Sequence, residues 1–151
     1  MLAGGYRAID SLRVEKGYRV WSSDITPEDN PFEAGLGFAV KLGKPMAFVG
    51  RDALRAVKER GPARRLRCVR MADPLAVPLG SEPVRIDGEI VGRVTSGNYG
   101  FRVGSALGFA YVPTELASFG RHLEIEIFGD WIDAEIVREP AWDPTDARIR
   151  A

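Results

Sequence analysis

Few side chains in this chain of 151 residues have the type and the company to do chemistry. One cysteine, Cys68, excludes an internal disulfide, and one histidine, His122, leaves no set of soft ligands for zinc. His122 opens an alternating stretch beside Arg121 with no second histidine near it, so packing or solvation is expected of it rather than base catalysis. Cys68 sits where a small apolar side chain fits and no helix N-terminus favours a thiolate; a buried, inert thiol is expected. The chain has no GxGxxG, no P-loop and no GxSxG elbow. Gly100, Gly104 and Gly108 fall across a loop and a strand rather than opening a helix. Flavin, nicotinamide, nucleotide and hydrolase chemistry therefore have no motif to rest on.

Three groups remain. Thr95 and Ser96, followed by Gly97, Tyr99 and Phe101, put two hydroxyls and two aromatics at a strand end, a pattern that lines a pocket or makes a tight turn. Asp10, Arg13 and Glu15 lie near the exposed side of a first helix, where ion pairing is the simpler expectation. Trp21 and Phe32 flank a loop and either stack on a planar ligand or anchor the loop. Arg64, Arg65, Arg67 and Arg70 form a basic cluster, but Lys plus Arg and Asp plus Glu total 21 each. A solvated strand face is expected there, with no nucleic acid or anionic membrane as partner.

Leu2, Tyr6, Ile9 and Leu12 recur at helical spacing and predict an amphipathic helix running to Lys16 and stopped by Gly17. Residues 21 to 31 hold Ser22, Ser23, Asp24, Pro27, Asp29, Asn30 and Pro31, a density of turn formers that predicts a functional or domain-joining loop. Leu36 to Leu42 pairs as a strand or forms an irregular core segment. Ala53, Leu54 and Val57 predict a second amphipathic helix over 51 to 60, closed by Gly61 in a left-handed conformation and by Pro62.

After Pro62 the apolar period falls to two. Leu66 to Met71 and Ala106 to Val112 read as strands, the latter apolar on both faces and so central. Val84 and Ile86 lead through Asp87-Gly88 into Ile90 to Val94, a hairpin with a type I′ turn. Leu123, Ile125 and Ile127 turn at Gly129-Asp130 into Ile132, Ala134 and Ile136, a second hairpin. The reading is α+β: the end of an α/β lobe over 1–61, an antiparallel β-barrel of five or six strands over 62–142, and a tail over 143–151. Apolar runs are short and the N-terminus has no signal-peptide pattern, so a cytoplasmic chain without a membrane span is expected.

The runs I-D-S-L-R-V-E-K-G from Ile9 to Gly17 and Y-R-V-W-S-S-D-I-T-P-E-D-N-P-F-E-A-G-L from Tyr18 to Leu36 precede three others. These are F-V-G-R-D-A-L from Phe48, G-R-V-T-S-G from Gly92 and F-A-Y-V-P from Phe109. In this order they resemble the glycine-cleavage T-protein (aminomethyltransferase) family, and in particular its form at the C-terminus of dimethylglycine and sarcosine dehydrogenases. The resemblance implies a tetrahydrofolate channel in the complete protein, with this chain supplying part of one lobe and the barrel. The acidic catalytic residues of the family lie upstream, so no residue here is assigned a catalytic role and the chain alone is expected to be inactive.

Where glycine-cleavage T-proteins carry an arginine before the D-S-L-R run, this chain has Ile9, and an expected aromatic falls at Ala147. An apolar Ile9 makes no charge-assisted bond to folate, which points to the dehydrogenase-associated branch. The resemblance places Asp10, Arg13, Thr95, Ser96 and Tyr99 along the folate wall, with no metal. It implies as partners the missing N-terminal folate-binding region of the same protein and a small one-carbon donor, and FAD only where a dehydrogenase domain lies upstream. The alternatives are a related folate-dependent demethylase and a non-catalytic barrel used for docking or oligomerisation.

Overall fold

The computed structural model describes residues 4–150, so Leu2 of the expected first helix lies outside the described residues. Helix α1 (Tyr6–Lys16) ends at Gly17, whose φ of 76° lets its N–H and that of Tyr18 return to the carbonyls of Val14 and Arg13. Helix α2 spans Arg51–Arg60. Six strands follow: β1 (Arg64–Met71), β2 (Pro83–Ile86), β3 (Glu89–Gly100), β4 (Ser105–Pro113), β5 (His122–Ile127) and β6 (Asp130–Val137). They pair antiparallel in the order β1-β4-β3-β2-β5-β6 and close where Cys68 to Met71 meet Ala134 to Val137. The expected α+β barrel is thus present, with six strands and no free edge.

The two faces of β4 explain its unbroken apolar run. Ala106, Ala110 and Val112 point into the barrel, against Val69, Val84, Val94, Ile125 and Ile136. Leu107, Phe109 and Tyr111 point outwards into a second cluster with Leu66, Cys68 and Val14 of α1. Helix α1 therefore covers one outer side of the barrel.

Several local expectations change. Helix α1 presents Val14 with polar Ser11 and Glu15 to the barrel and leaves Tyr6, Ile9 and Leu12 exposed, the reverse of an apolar stripe facing the core. The 36–42 segment makes no strand: Gly37–Ala39 form a single 3₁₀ turn, and the closed ring of strands offers the segment no edge to pair with, so the irregular alternative holds. Gly61 has a positive φ of 82° but ψ of 152°, an extended conformation that only glycine adopts readily and not the left-handed helical one. Asp87-Gly88 does turn with both φ positive, whereas the last hairpin turns on Phe128-Gly129, one residue earlier than expected. Thr95 to Gly97 lie within β3 and do not turn.

Cys68 is fully buried, and the loss of hydration pushes its thiol up to about 12 from 9.0. The unfolded chain's thiol ionises first as pH rises, so above about pH 9 this group takes away stability at up to ~1.4 kcal/mol per pH unit until about pH 12. Stability measured between pH 9 and 11 should fall less steeply in Cys68→Ala, and native Cys68 should resist thiol reagents until the protein unfolds.

Candidate functional site

The residues singled out in the sequence meet around one that was read only as a turn former. Asp24, in the loop after α1, has no solvent exposure. Its Oδ2 accepts from Arg13 Nη1 at 2.9 Å and from the backbone N–H of Val20 at 2.8 Å. Its Oδ1 accepts from Thr95 Oγ1 and Ser96 Oγ, both at 2.6 Å. Arg13 also reaches Ser96 Oγ at 2.9 Å, and its Nε lies 3.5 Å from Asp10 Oδ1. Tyr111, whose phenol burial holds above its ordinary pKa, donates from its hydroxyl to the Asp24 carbonyl at 3.1 Å. One carboxylate thus ties α1, the loop, β3 and β4 together.

Charge decides what this cluster can do. A buried carboxylate needs several donors to be tolerated, and Asp24 has four. No acceptor position is left over to take a proton from a substrate, so the cluster positions elements and is not an acid or base. Tyr99 is tied to α1 separately, its backbone carbonyl accepting from Ser11 Oγ at 2.7 Å, while its ring stands edge-on to Phe101 at 5.0 Å. Asp10, Arg13, Thr95 and Ser96 are therefore brought together, with the Tyr99 side chain beside them.

A second clamp lies one turn along α1. Glu15, expected near the exposed side, is 1% exposed, because its Oε1 accepts from the backbone N–H groups of Arg102 (2.6 Å) and Val103 (3.0 Å) in the β3–β4 turn. Arg13, with a side chain 11% exposed, is likewise drawn inward. Lys16 Nζ binds Asp143 at 3.1 Å and Asp146 at 2.6 Å, and Trp142 N–H donates to the Glu15 carbonyl, strapping the C-terminal tail across α1. Burial would raise the Asp143 carboxyl, but the hydrogen bond and charge of Lys16 together with the backbone N–H groups of Arg148 and Ala147 outweigh it and hold the group below its ordinary value.

The outer side of α1 frames an open concavity of about 360 Å³ lined by Ile9, Leu12, Tyr18, Arg102 and Trp142 with Arg13 at its base. A larger one, of about 550 Å³, shares Lys16 and Tyr18 and is bounded by Arg19, Phe38 and Glu139, where Arg19 pairs with Glu139 at 2.8 Å. Thr95, Ser96 and Tyr99 line neither. Cys68 is buried and His122 exposed, and among the described residues no group of acidic, histidine or cysteine side chains could hold a metal ion. Of the basic cluster, Arg64 pairs with Asp29 and Arg70 with Glu135, while Arg67 donates to the Ala117 carbonyl. Sequence reasoning missed Asp24 as a hub because its partners lie 71 and 72 residues away and no local spacing announces them.

The family model of the glycine cleavage T-protein C-terminal barrel domain matches residues 64–143, which is over half of the chain and contains every barrel strand. The chain belongs to the glycine-cleavage T-protein family. The model of that family's N-terminal domain matches residues 1–44, which contain α1 and Asp24. The T-protein hub therefore joins residues from the two matched regions. Rattus norvegicus dimethylglycine dehydrogenase, mitochondrial, is 40% identical over 148 residues, 97% of this chain and 17% of that protein. Human sarcosine dehydrogenase, mitochondrial, is 42% identical over 158 residues, 99% of this chain and 17% of that protein. An aminomethyltransferase of Symbiobacterium thermophilum is 41% identical over 140 residues, 93% and 37% respectively.

The crystal structure of glycine cleavage system aminomethyltransferase T from Bartonella henselae superposes with a TM-score of 0.83 at 27% identity, covering 91% of this chain and 38% of that one. The chain thus spans less than two fifths of the T-protein relatives and under one fifth of the dehydrogenases. Among the described residues no helix is long and apolar enough to cross a membrane.

Proposed function

We propose that this chain is the C-terminal segment of a tetrahydrofolate-dependent aminomethyltransferase that handles one-carbon units from glycine or from N-methylated amines such as sarcosine and dimethylglycine. The observation that carries the reading is the outer side of α1, where exposed Ile9, Leu12 and Tyr18 and half-buried Trp142 line one concavity together with Arg102. Tetrahydrofolate is a flat bicycle and a benzoyl ring ending in carboxylates, and an aromatic-apolar wall with Arg13, Lys16 and Arg102 among its residues suits that outline. The fit is to one wall. Asp24 and Glu15 are the buried acids of the described residues, and both are committed to donors of this chain.

Folate, when bound, supplies the amine nitrogens that accept the one-carbon unit. This chain's residues hold the wall in place and exclude water from it, and the acid/base group comes from the upstream folate-binding region, its main partner. Of the five residues expected along the folate, Arg13, Thr95 and Ser96 position the wall through Asp24. Asp10 and Tyr99 are partly exposed but, like Thr95 and Ser96, do not line that concavity.

Calorimetry tests the reading. The 151-residue chain should bind tetrahydrofolate weakly or not at all, and a full-length parent should bind it stoichiometrically. Tight binding by this chain alone refutes its incompleteness; no affinity in the parent refutes the function. Substrate profiling of the parent separates aminomethyl transfer from demethylation, and a flavin requirement appears only where a dehydrogenase domain precedes the folate region.

A further inference from the structure

Helix α2 and the loop before it carry an apolar surface that the described residues leave open. No residue of α2 is buried, and Leu54 and Val57 are only half covered. Met46 is 81% exposed, Val49 fully so, and Phe48 by more than a third. Met46, Phe48 and Leu54 bound an open groove of about 480 Å³ with Lys41 and Lys44 at its rim. A ten-residue helix is marginal in water without a packed face, so this one lacks most of what normally stabilises a helix.

We infer that this groove is the docking surface for the upstream portion of the same polypeptide, an inference that rests on reading the chain as a C-terminal segment. The groove straddles the end of the match to the N-terminal domain at residue 44: Lys41 and Lys44 lie within that match, and Met46, Phe48 and Leu54 lie in the stretch before the barrel match starts at 64. The solved relative is longer by more than half, so an occupant of ample size belongs to the same architecture. Charge argues against a second copy. Residues 41 to 65 hold eight of the 21 basic residues and two of the 21 acidic ones, and a twofold contact would set Lys44, Arg51, Arg55 and Lys58 against their own images. A lipid surface is disfavoured because the apolar residues bound a groove, whereas membranes take a protruding face. The occupant is an apolar anchor flanked by carboxylates, held at high effective concentration by its covalent link through α1.

Hydrogen exchange of the α2 amides decides the matter, compared between the 151-residue chain and a chimera in which this chain replaces its counterpart in the matched aminomethyltransferase. Exchange in α2 should be at least roughly tenfold slower in the chimera. Leu54→Asp should abolish that protection there while leaving the barrel amides of both proteins unchanged, and the milder Phe48→Ser should weaken it. Equal exchange in both proteins, protection untouched by either substitution, or a chimera whose upstream part does not fold overturns the inference. So does self-association of the free chain that buries α2, or its binding to phosphatidylserine vesicles. Folate calorimetry on the same chimera reads separately: α2 protection without folate binding refutes the folate function alone, and folate binding with unprotected α2 refutes the docking surface alone.

Discussion

Replacing Asp24 by alanine is expected to lower the unfolding free energy by about 3–5 kcal/mol, the range for breaking a buried charge pair from one side. The carboxylate is wholly shielded from solvent, and its removal takes an acceptor from the Arg13 guanidinium, two hydroxyls and the Val20 N–H. Arg13 still meets Asp10 and Ser96, and Thr95 the Phe109 carbonyl, so what is lost outright is the tie between α1, the loop and β3, and the damage should be local first. Urea unfolding measures the loss, and hydrogen exchange should show α1 opening while the barrel amides stay protected. Asp24→Asn should recover little, since its NH₂ group would face donors in place of acceptors. A loss below about 1 kcal/mol, typical of exposed pairs, would show that the hub does not hold the helix.

Gly92→Ala is expected to be more severe. A Cβ at this position would overlap the carbonyl oxygen of Tyr111 and stand 3.1 Å from its carbon. Both are backbone atoms of β4, so no side chain can rotate away and the β3–β4 ladder itself must part. The register of that ladder already shifts between Val94 and Ser96, close to the contact. Losses above about 4 kcal/mol come from few mechanisms, and backbone overlap in a closed sheet is one. The measurement is folded yield and amide dispersion by NMR, with Gly43→Ala as control, where an added Cβ meets nothing within 4 Å. A well-folded Gly92→Ala protein would mean that the two strands run further apart than described.

The parts of this fold that local pattern controls were readable from the sequence. An unbroken apolar run placed β4, alternation placed β5 and β6, Asp87-Gly88 placed a turn, and Gly17 placed a helix end. What failed were features set by distant partners. The Tyr6, Ile9 and Leu12 spacing announced a helix but not which face is covered, because the barrel takes the opposite face through Ser11, Val14 and Glu15. Residues 36 to 42 looked extended, but with the ring closed by its own six strands no edge remains to receive a seventh. For the site, Arg13, Thr95 and Ser96 were legible as polar groups in unusual company, while the acid they share was hidden among turn formers. Its role depends on β3 passing beside the loop, a fact of tertiary structure.

The closed ring of strands has a further consequence for how such a module is inherited. Each strand finds both hydrogen-bonded neighbours within 74 residues, from Arg64 to Val137, so the sheet asks nothing of the polypeptide on either side. The region is part of the 17% matched in a dehydrogenase and of the 37% matched in an aminomethyltransferase. A unit complete in its own pairing can be carried at the end of proteins of very different length without rebuilding its core. Change is then confined to the helices and loops that face whatever precedes it, and selection there can proceed without risk of strand exchange between neighbouring copies.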